Sequence, residues 1–413
     1  MLQSGDILRL PSRPVCMGFA AIALWCVGGA AHAQDERLGV PLVPVLPVAR
    51  PVVADPGLSL TTSAEAAYDD NIFRTNSRRT PSVDDFILTP GVRGVYWRQV
   101  GLNDVRVDAD LAYSFFTLNP DRSRGRADLH GSGTFRVAGV CQIQPDARIL
   151  RQQSDYGDIN AARDNFQTVS NLSLRVSCPR TVGFYPVADI SRRTTTNSTA
   201  FDFADLRSVS LLGGIGYSRP SIGQAVLYYR HLNSERPTIN VTNRAEQVGV
   251  TFHRAVVSRV TLDLDLSYLD VTSRGANVRP YRGPGWDAKL ELKPVPAASF
   301  SVETERRIVN DSLVPAGFAV QTDVQLASEL RFAERTRFRA GAILGHRNFR
   351  GDPLVIASPF AKDDFQSYSL GVTRQLGERL NLNLDGQYSN RNTDTGVNEY
   401  HFTRLVAGVS YRF

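Results

Sequence analysis

From Leu58 to Phe413 the chain alternates between apolar and polar side chains in short stretches, each closed off by turn residues. In DVRVDADLAYSFF, Val105, Val107, Ala109, Leu111, Tyr113 and Phe115 fall on one side of a two-residue repeat, and Arg106, Asp108, Asp110, Ala112 and Ser114 on the other. Leu262, Leu264, Leu266 and Tyr268 oppose Thr261, Asp263, Asp265 and Ser267 in the same way. Trp286, Ala288, Leu290 and Leu292 oppose Asp287, Lys289, Glu291 and Lys293, and Leu380, Leu382 and Leu384 oppose Asn381, Asn383 and Asp385. A period of two predicts strands with one oily and one polar face. No convincing helical period interrupts them.

One such strand would also suit a soluble sandwich. The repetition decides otherwise, because a sandwich of this length would need several domains joined by linkers, and none is visible. The connections also alternate in length. Short turns at 99–103, 218–223, 332–336 and 375–379 take turns with longer polar loops at 69–84, 195–205, 233–243, 273–284, 309–318, 349–363 and 391–398. That asymmetry belongs to a transmembrane antiparallel β-barrel with short periplasmic turns and longer outer loops. The expectation is an all-β barrel over 58–413 with about 18 strands (16–18), each of roughly ten residues, enough to span a bilayer when tilted. The weakly patterned stretches 138–163 and 181–206 leave the number soft. An even number places the N- and C-termini together on the periplasmic side.

The first 33 residues read as a secretory leader: Arg9 and Arg13, an apolar run, and Ala31-His32-Ala33 as an A-x-A cleavage site ahead of Gln34. A lipid anchor on Cys26 is the rival reading, although ALWC lacks the small residues such a site normally shows. Residues 34–57 hold five prolines and no period, and are expected to be an extended periplasmic linker. No stretch after the leader is long and apolar enough for a helical span. The formal charge of +6 is carried almost wholly by arginine. Genome composition explains that economically; guanidinium forks placed for carboxylated or phosphorylated solutes are the sharper reading.

The last strand, TRLVAGVSYRF, places Leu405, Ala407, Val409, Tyr411 and Phe413 on its oily face. A closed barrel must pair its last strand with its first so that no edge meets lipid unsatisfied. GVSYRF resembles the C-terminal signature of bacterial outer-membrane proteins. That resemblance implies that Tyr411 and Phe413 form the signal read by the barrel-assembly machinery.

At the first long loop the chain runs AEAAYDDNIFRTNSRRTPSVDDFILTPGV. Tyr68, Asp69, Asp70, Asn71, Ile72 and Phe73, followed by Asp85, Phe86, Leu88, Pro90 and Gly91, resemble the two motifs of a β-barrel porin family linked to exopolysaccharide export. The resemblance implies a channel that exports extracellular polysaccharide, with periplasmic export components and an anionic polysaccharide as partners besides outer-membrane lipid. A general or solute-specific porin unrelated to polysaccharide, or a plugged structural barrel, are the alternatives. Locally, Asp70-Asn71 also suits a tight polar turn, and a calcium site built from Asp69, Asp70 and Asp85 is a further reading.

Enzymatic signals are poor. His130, His231, His253, His346 and His401 are isolated, with no H-E-x-x-H and no cysteines at zinc spacing. GGIG at 213–216 lies in a strand without the strand-turn-helix context of a nucleotide loop. No catalytic residue, metal, cofactor or nucleic-acid partner is expected. The polar face directly supplies candidate lumen-lining charges: Arg106, Asp108, Asp110, Arg126, Asp128, Arg136, Lys289, Glu291, Arg337 and Arg339. Cross-strand ion pairs that brace the wall are the plain reading of most; an anion-selective path is the functional one. Cys141 and Cys178 are expected in successive periplasmic turns two inter-strand spacings apart, bridged only because the turn at 138–145 leans across.

Overall fold

The computed structural model describes residues 57–76, 81–137, 139–153, 165–257, 259–274, 278–310, 317–351 and 361–413. The leader at 1–33, the possible anchor at Cys26 and the linker up to residue 56 lie outside the described residues. Eighteen strands follow one another: β1 (Gly57–Asp69), β2 (Asp85–Val100), β3 (Asn103–Phe116), β4 (Arg124–Val137), β5 (Cys141–Gln153) and β6 (Phe166–Ser177) come first. Next are β7 (Gly183–Thr196), β8 (Leu206–Arg219), β9 (Gly223–Arg236), β10 (Val241–Val257), β11 (Val260–Arg274) and β12 (Tyr281–Val295). The series ends with β13 (Ala298–Val309), β14 (Phe318–Phe332), β15 (Thr336–Arg350), β16 (Lys362–Leu376), β17 (Leu380–Thr393) and β18 (Tyr400–Arg412). Each is antiparallel to its neighbours in sequence, and β1 also pairs with β18 from Thr61↔Arg412 to Asp69↔Arg404, so the sheet closes on itself.

Closure removes the free sheet edges, which is what a bilayer core demands. The faces are sorted as the alternation predicts. Leu111, Leu172, Ile215, Leu227, Leu266 and Leu384 stand exposed on the outside, while their neighbours Asp110, Ser173, Ser267 and Asp385 point inward. Large aliphatics outside and charges inside make this a membrane barrel of the bacterial outer membrane. The weakly patterned stretches supply β5 and β7. Connections from even to odd strands are short turns at the end shared with the chain termini (the turn end); the others are generally longer and lie at the opposite loop end. One expected long loop is instead tight: β9 runs to Arg236 and β10 starts at Val241, with Asn240 at φ +52° closing the hairpin. Its polar residues, read as loop, are simply the outermost rungs of two strands.

One seam departs from the regular ladder. β11 and β12 pair as far as Val271↔Tyr281, and β13 and β14 as far as Val309↔Ala319, yet β12 and β13 pair no further than Trp286↔Arg306. Beyond that rung the loop-end segments of β13 and β14 turn into the barrel. On the outer face of β14, Val324 and Leu326 are 37% and 45% exposed, whereas Phe318 and Val320 on the same face are 1% and 2% exposed. Together with Ile308 they form a core with Leu232, Ala245, Leu269, Val271 and Tyr281 from the inner face of β9–β12. A glycine makes the crossing possible: a Cβ at Gly285 would come within 2.8 Å of the Leu269 and Ser267 side chains and 3.3 Å of the Arg306 carbonyl. Each large side chain withdrawn from water there contributes roughly 1.5–3 kcal/mol.

Polar groups fasten the same layer. Arg236 donates to the Asn310 carbonyl, and Asn243 Nδ2 donates to Asn310 Oδ1 and to the Gly317 carbonyl. Asn310 Nδ2 in turn donates to Ser234 Oγ, and Ser273 Oγ to Asn243 Oδ1. Buried amides and a guanidinium would be costly here without these partners.

The disulfide reading is corrected in its geometry. Cys141 opens β5 and Cys178 follows β6, two strands that pair directly with Gln142↔Ser177 as the neighbouring rung. The sulfurs are bonded and the Cα atoms are 3.8 Å apart. The cysteines are therefore one strand apart, not two, because β5 already begins at Cys141 and no long turn has to lean across.

Candidate functional site: the lumen wall

Along β2–β5 the inward charges are arranged in cross-strand and same-strand pairs. Arg106 Nε lies 2.6 Å from Asp108, which also receives Arg93 at 3.1 Å. Arg126 reaches Asp110 at 2.6 Å, Arg148 reaches Asp128 at 2.6 Å, and His130 lies 2.6 Å from Asp146. Arg136 stands near the turn end, its backbone N–H donating to Asn103 Oδ1 at 2.8 Å. Most of these side chains are well exposed to the lumen. The wall they make is accessible, dense in charge and nearly balanced in sign.

The inner wall of β7–β11 is built differently. Tyr228 lies flat over Gly249, where a Cβ would come within 2.6 Å of its hydroxyl oxygen. The ring thus crosses β10, and its hydroxyl donates to Asp265 on β11 at 2.8 Å. Gln247 donates to that hydroxyl and to Ser267, both at 2.8 Å, while Arg230 donates to Gln247 at 3.2 Å. Tyr228 belongs to a buried cluster with Tyr185, Val187, Leu212 and Val226. Buried Arg175 approaches buried Asp189 at 3.5 Å beside it.

From β11 to β14 the register sets four carboxylates side by side: Asp265 opposes Asp287, Asp287 opposes Glu305, and Glu305 opposes Asp323. Arg307 partly offsets them, at 2.8 Å from Glu305 and 4.0 Å from Asp323. Lys289 meets Glu303 at 3.4 Å, and Glu291 meets Lys293 at 2.7 Å. Arg339 donates to Thr373 Oγ1 at 2.6 Å and lies 3.7 Å from Asp385; Arg337 faces the lumen two residues earlier. Farther toward the loop end, Asp363 receives both Arg347 and Arg391, each at 2.6 Å. Arg347 also lies over the Phe349 and Phe365 rings.

The motif loop turns out to be a latch over the β1–β2 rim. Asp69 is held by Arg74 at 2.8 Å, and Arg74 stacks on Phe402 with its guanidinium carbon 3.5 Å from the ring centre. Asp70 accepts the Thr403 N–H at 2.7 Å, fixing the loop to β18. Buried Asn71 donates to the Thr75 and His401 carbonyls and accepts the Thr75 N–H. Tyr68 donates to Asp84 at 3.2 Å, and Phe73 lies beneath Arg122 at 4.5 Å. Asp85 is fully buried, its carboxylate accepting the backbone N–H groups of Thr117, Leu118 and Asn119.

This corrects the calcium reading. Asp69, Asp70 and Asp85 serve three different partners, and among the described residues no group of three or more His, Cys, Asp or Glu has a metal-holding arrangement. Near the C-terminus, Tyr411 and Phe413 form an edge-on ring pair at 5.0 Å on the outside, and the Phe413 N–H donates to the Leu60 carbonyl of β1.

Sequence reading missed Arg74 and Arg122 in the latch, and Tyr228, Asp363 and Arg391 in the wall. Inward parity would have included the last three, but no local pattern distinguishes a buried lumenal residue from a hydrated one.

No family model and no curated protein matches the sequence. Solved structures do resemble the fold. A BenF-like porin from Pseudomonas fluorescens Pf-5 is 13% identical at a TM-score of 0.48, over 87% of this chain and 100% of that one. Outer membrane protein OpdK from Pseudomonas aeruginosa is 12% identical at 0.45, over 86% and 99%. OccAB3 from Acinetobacter baumannii is 12% identical at 0.46, also over 86% and 99%. At these identities the likeness concerns architecture alone.

Proposed function

We propose that this barrel is an outer-membrane channel for small polar or charged solutes, with its loop end outward and its turn end in the periplasm. The supporting observation is the lumen wall of β2–β5, where accessible ion pairs line a barrel too wide for its own side chains to fill. Solutes carrying both charges are the class such a wall suits, since each paired arginine and aspartate can exchange its partner for one on the solute. The inward layer of β13 and β14 narrows the path at the loop end, which sets a size limit.

Polymer export is the weaker reading. The residues that suggested it, Tyr68 to Phe73 and Asp85, have a local structural task in holding the β1–β2 rim to β18 and to the residues after β3. No export component or acidic polymer is needed to account for them. Insertion through the barrel-assembly machinery by way of Tyr411 and Phe413 is part of the same proposal.

Purified barrel in planar bilayers tests it. Discrete conductance steps are expected, together with swelling of proteoliposomes in small zwitterionic solutes and exclusion of oligosaccharides. A barrel without conductance would leave a plugged structural role, and ready passage of long acidic polymers would restore the export reading.

A further inference from the structure

The outside of the barrel is not uniform around its circumference. Toward the loop end of β7–β12, outward positions that alternation would assign to aliphatics or aromatics carry Arg192, Arg207, His231, Arg244, Arg274 and Arg282. Arg244 is paired with Glu246 at 2.8 Å and Arg282 with Asp270 at 2.9 Å. Arg192, Arg207 and Arg274 are exposed and have no hydrogen-bond or ion-pair partner among the described residues. The ladder carries Arg192, through Val209 and Asn233, to Arg244, and Arg207, through Glu235 and Thr242, to Arg274.

Directly turnward of this basic arc the outer surface is hollow. A groove of about 560 Å³ is lined by Leu174, Ala188, Ile190, Leu211, Gly213 and Tyr229, with His231 and Arg244 at its loop end. Its floor is low because Ala188 and Gly213 oppose one another in the β7–β8 ladder, and a Cβ on Gly213 would meet nothing within 4 Å. Leu211 and Ile190 form one bank, and Tyr229 the other.

We infer that this face binds a phosphorylated lipid of the outer leaflet, with an acyl chain in the Ala188–Gly213 groove and its phosphates on Arg192, Arg207 and Arg244. The chemistry selects the occupant. An apolar trough opening at one end onto partly uncompensated guanidiniums matches a molecule with a hydrocarbon tail and an anionic head. Guanidinium forks hold phosphate oxygens bidentately. A second barrel would bring the same cations against its own copy of the patch, or leave them facing lipid. The inference rests on the proposed orientation only for naming the leaflet; the binding itself does not depend on it.

Folded barrel in zwitterionic detergent is titrated with a diphosphorylated glucosamine-disaccharide lipid, its dephosphorylated form, phosphatidylcholine and inorganic phosphate, with retention read by native mass spectrometry. The diphosphorylated lipid is expected to be retained and the other three are not. Changing Arg192, Arg207 and Arg244 together to Gln weakens retention roughly a hundredfold, about fivefold for each cation lost near a lipid phosphate. Gly213→Trp, which fills the trough and leaves the cations, weakens it as well. Heat-modifiable migration and unchanged conductance establish that both variants fold. Equal retention of the phosphorylated and dephosphorylated lipids, or of the lipid by wild type and triple variant, would overturn the inference. So would efficient cross-linking of two barrels through Gly213→Cys. A lipid that binds as expected to a barrel that does not conduct would sink the channel proposal and leave this one standing.

Discussion

The lumen contains two walls made from the same residue types under different physical conditions. On β2–β5, Arg106 pairs with Asp108 while its side chain remains 44% exposed. On β15–β17, Arg391 pairs with Asp363 at the same 2.6 Å, with side-chain exposures of 1% and 0%. Exposed pairs gain little, because water screens the charges and two long side chains must be held in place. Buried pairs stand or fall together, since neither partner can be rehydrated once the other is removed. The first wall is therefore free to exchange its ion-pair partners. The second is a structural joint that holds the loop ends of β15–β17.

The largest effect expected from this contrast is at the joint. Asp363→Asn removes the carboxylate shared by half-buried Arg347 and buried Arg391 and should cost about 3–5 kcal/mol. Asp108→Asn, chemically the same change, should cost about 0–1 kcal/mol. Denaturant unfolding of the detergent-folded barrel measures both, and similar losses would erase the distinction between the walls.

The seam offers a comparison along one strand. Phe318→Ala should destabilise by about 3–5 kcal/mol, as expected for emptying a packed core. Leu326→Ala, lower on the same face and in contact with lipid, should cost much less because acyl chains refill the space. Loosening the inward layer should also raise single-channel conductance for Phe318→Ala and leave it unchanged for Leu326→Ala. If the lipid-facing change proved the more damaging, the inward layer would be misjudged.

The smallest effect concerns selectivity. Neutralising Asp108 or Asp110 frees Arg106 or Arg126, which should move the reversal potential a few millivolts toward anions. That shift should fade as salt approaches ~1 M, where the Debye length is about 3 Å. No movement at low salt would mean that solutes do not pass along β2–β5. The ion pairs that were the plain sequence reading of these charges are formed in the fold, where Asp108 binds Arg106 and Asp110 binds Arg126.

Alternation along the sequence was enough to establish strands, faces, closure and the approximate number of strands, because a barrel repeats one local rule and each strand needs only its neighbours. It also assigned Arg106, Asp108, Arg126, Lys289 and Arg339 to one face, since parity alone carries that information. Parity could not foresee that Ile308, Phe318 and Val320 would leave the lipid face and pack against the inside of β9–β12. It could not foresee that Asp363 would be shared by Arg347 and Arg391, or that Cys141 would stand one strand from Cys178. These depend on where a ladder stops and on contacts between residues far apart in the chain, such as Arg236 with Asn310. A local period encodes which way a side chain points; what it meets there was decided only by the curvature of the closed sheet and the seam at which it folds inward.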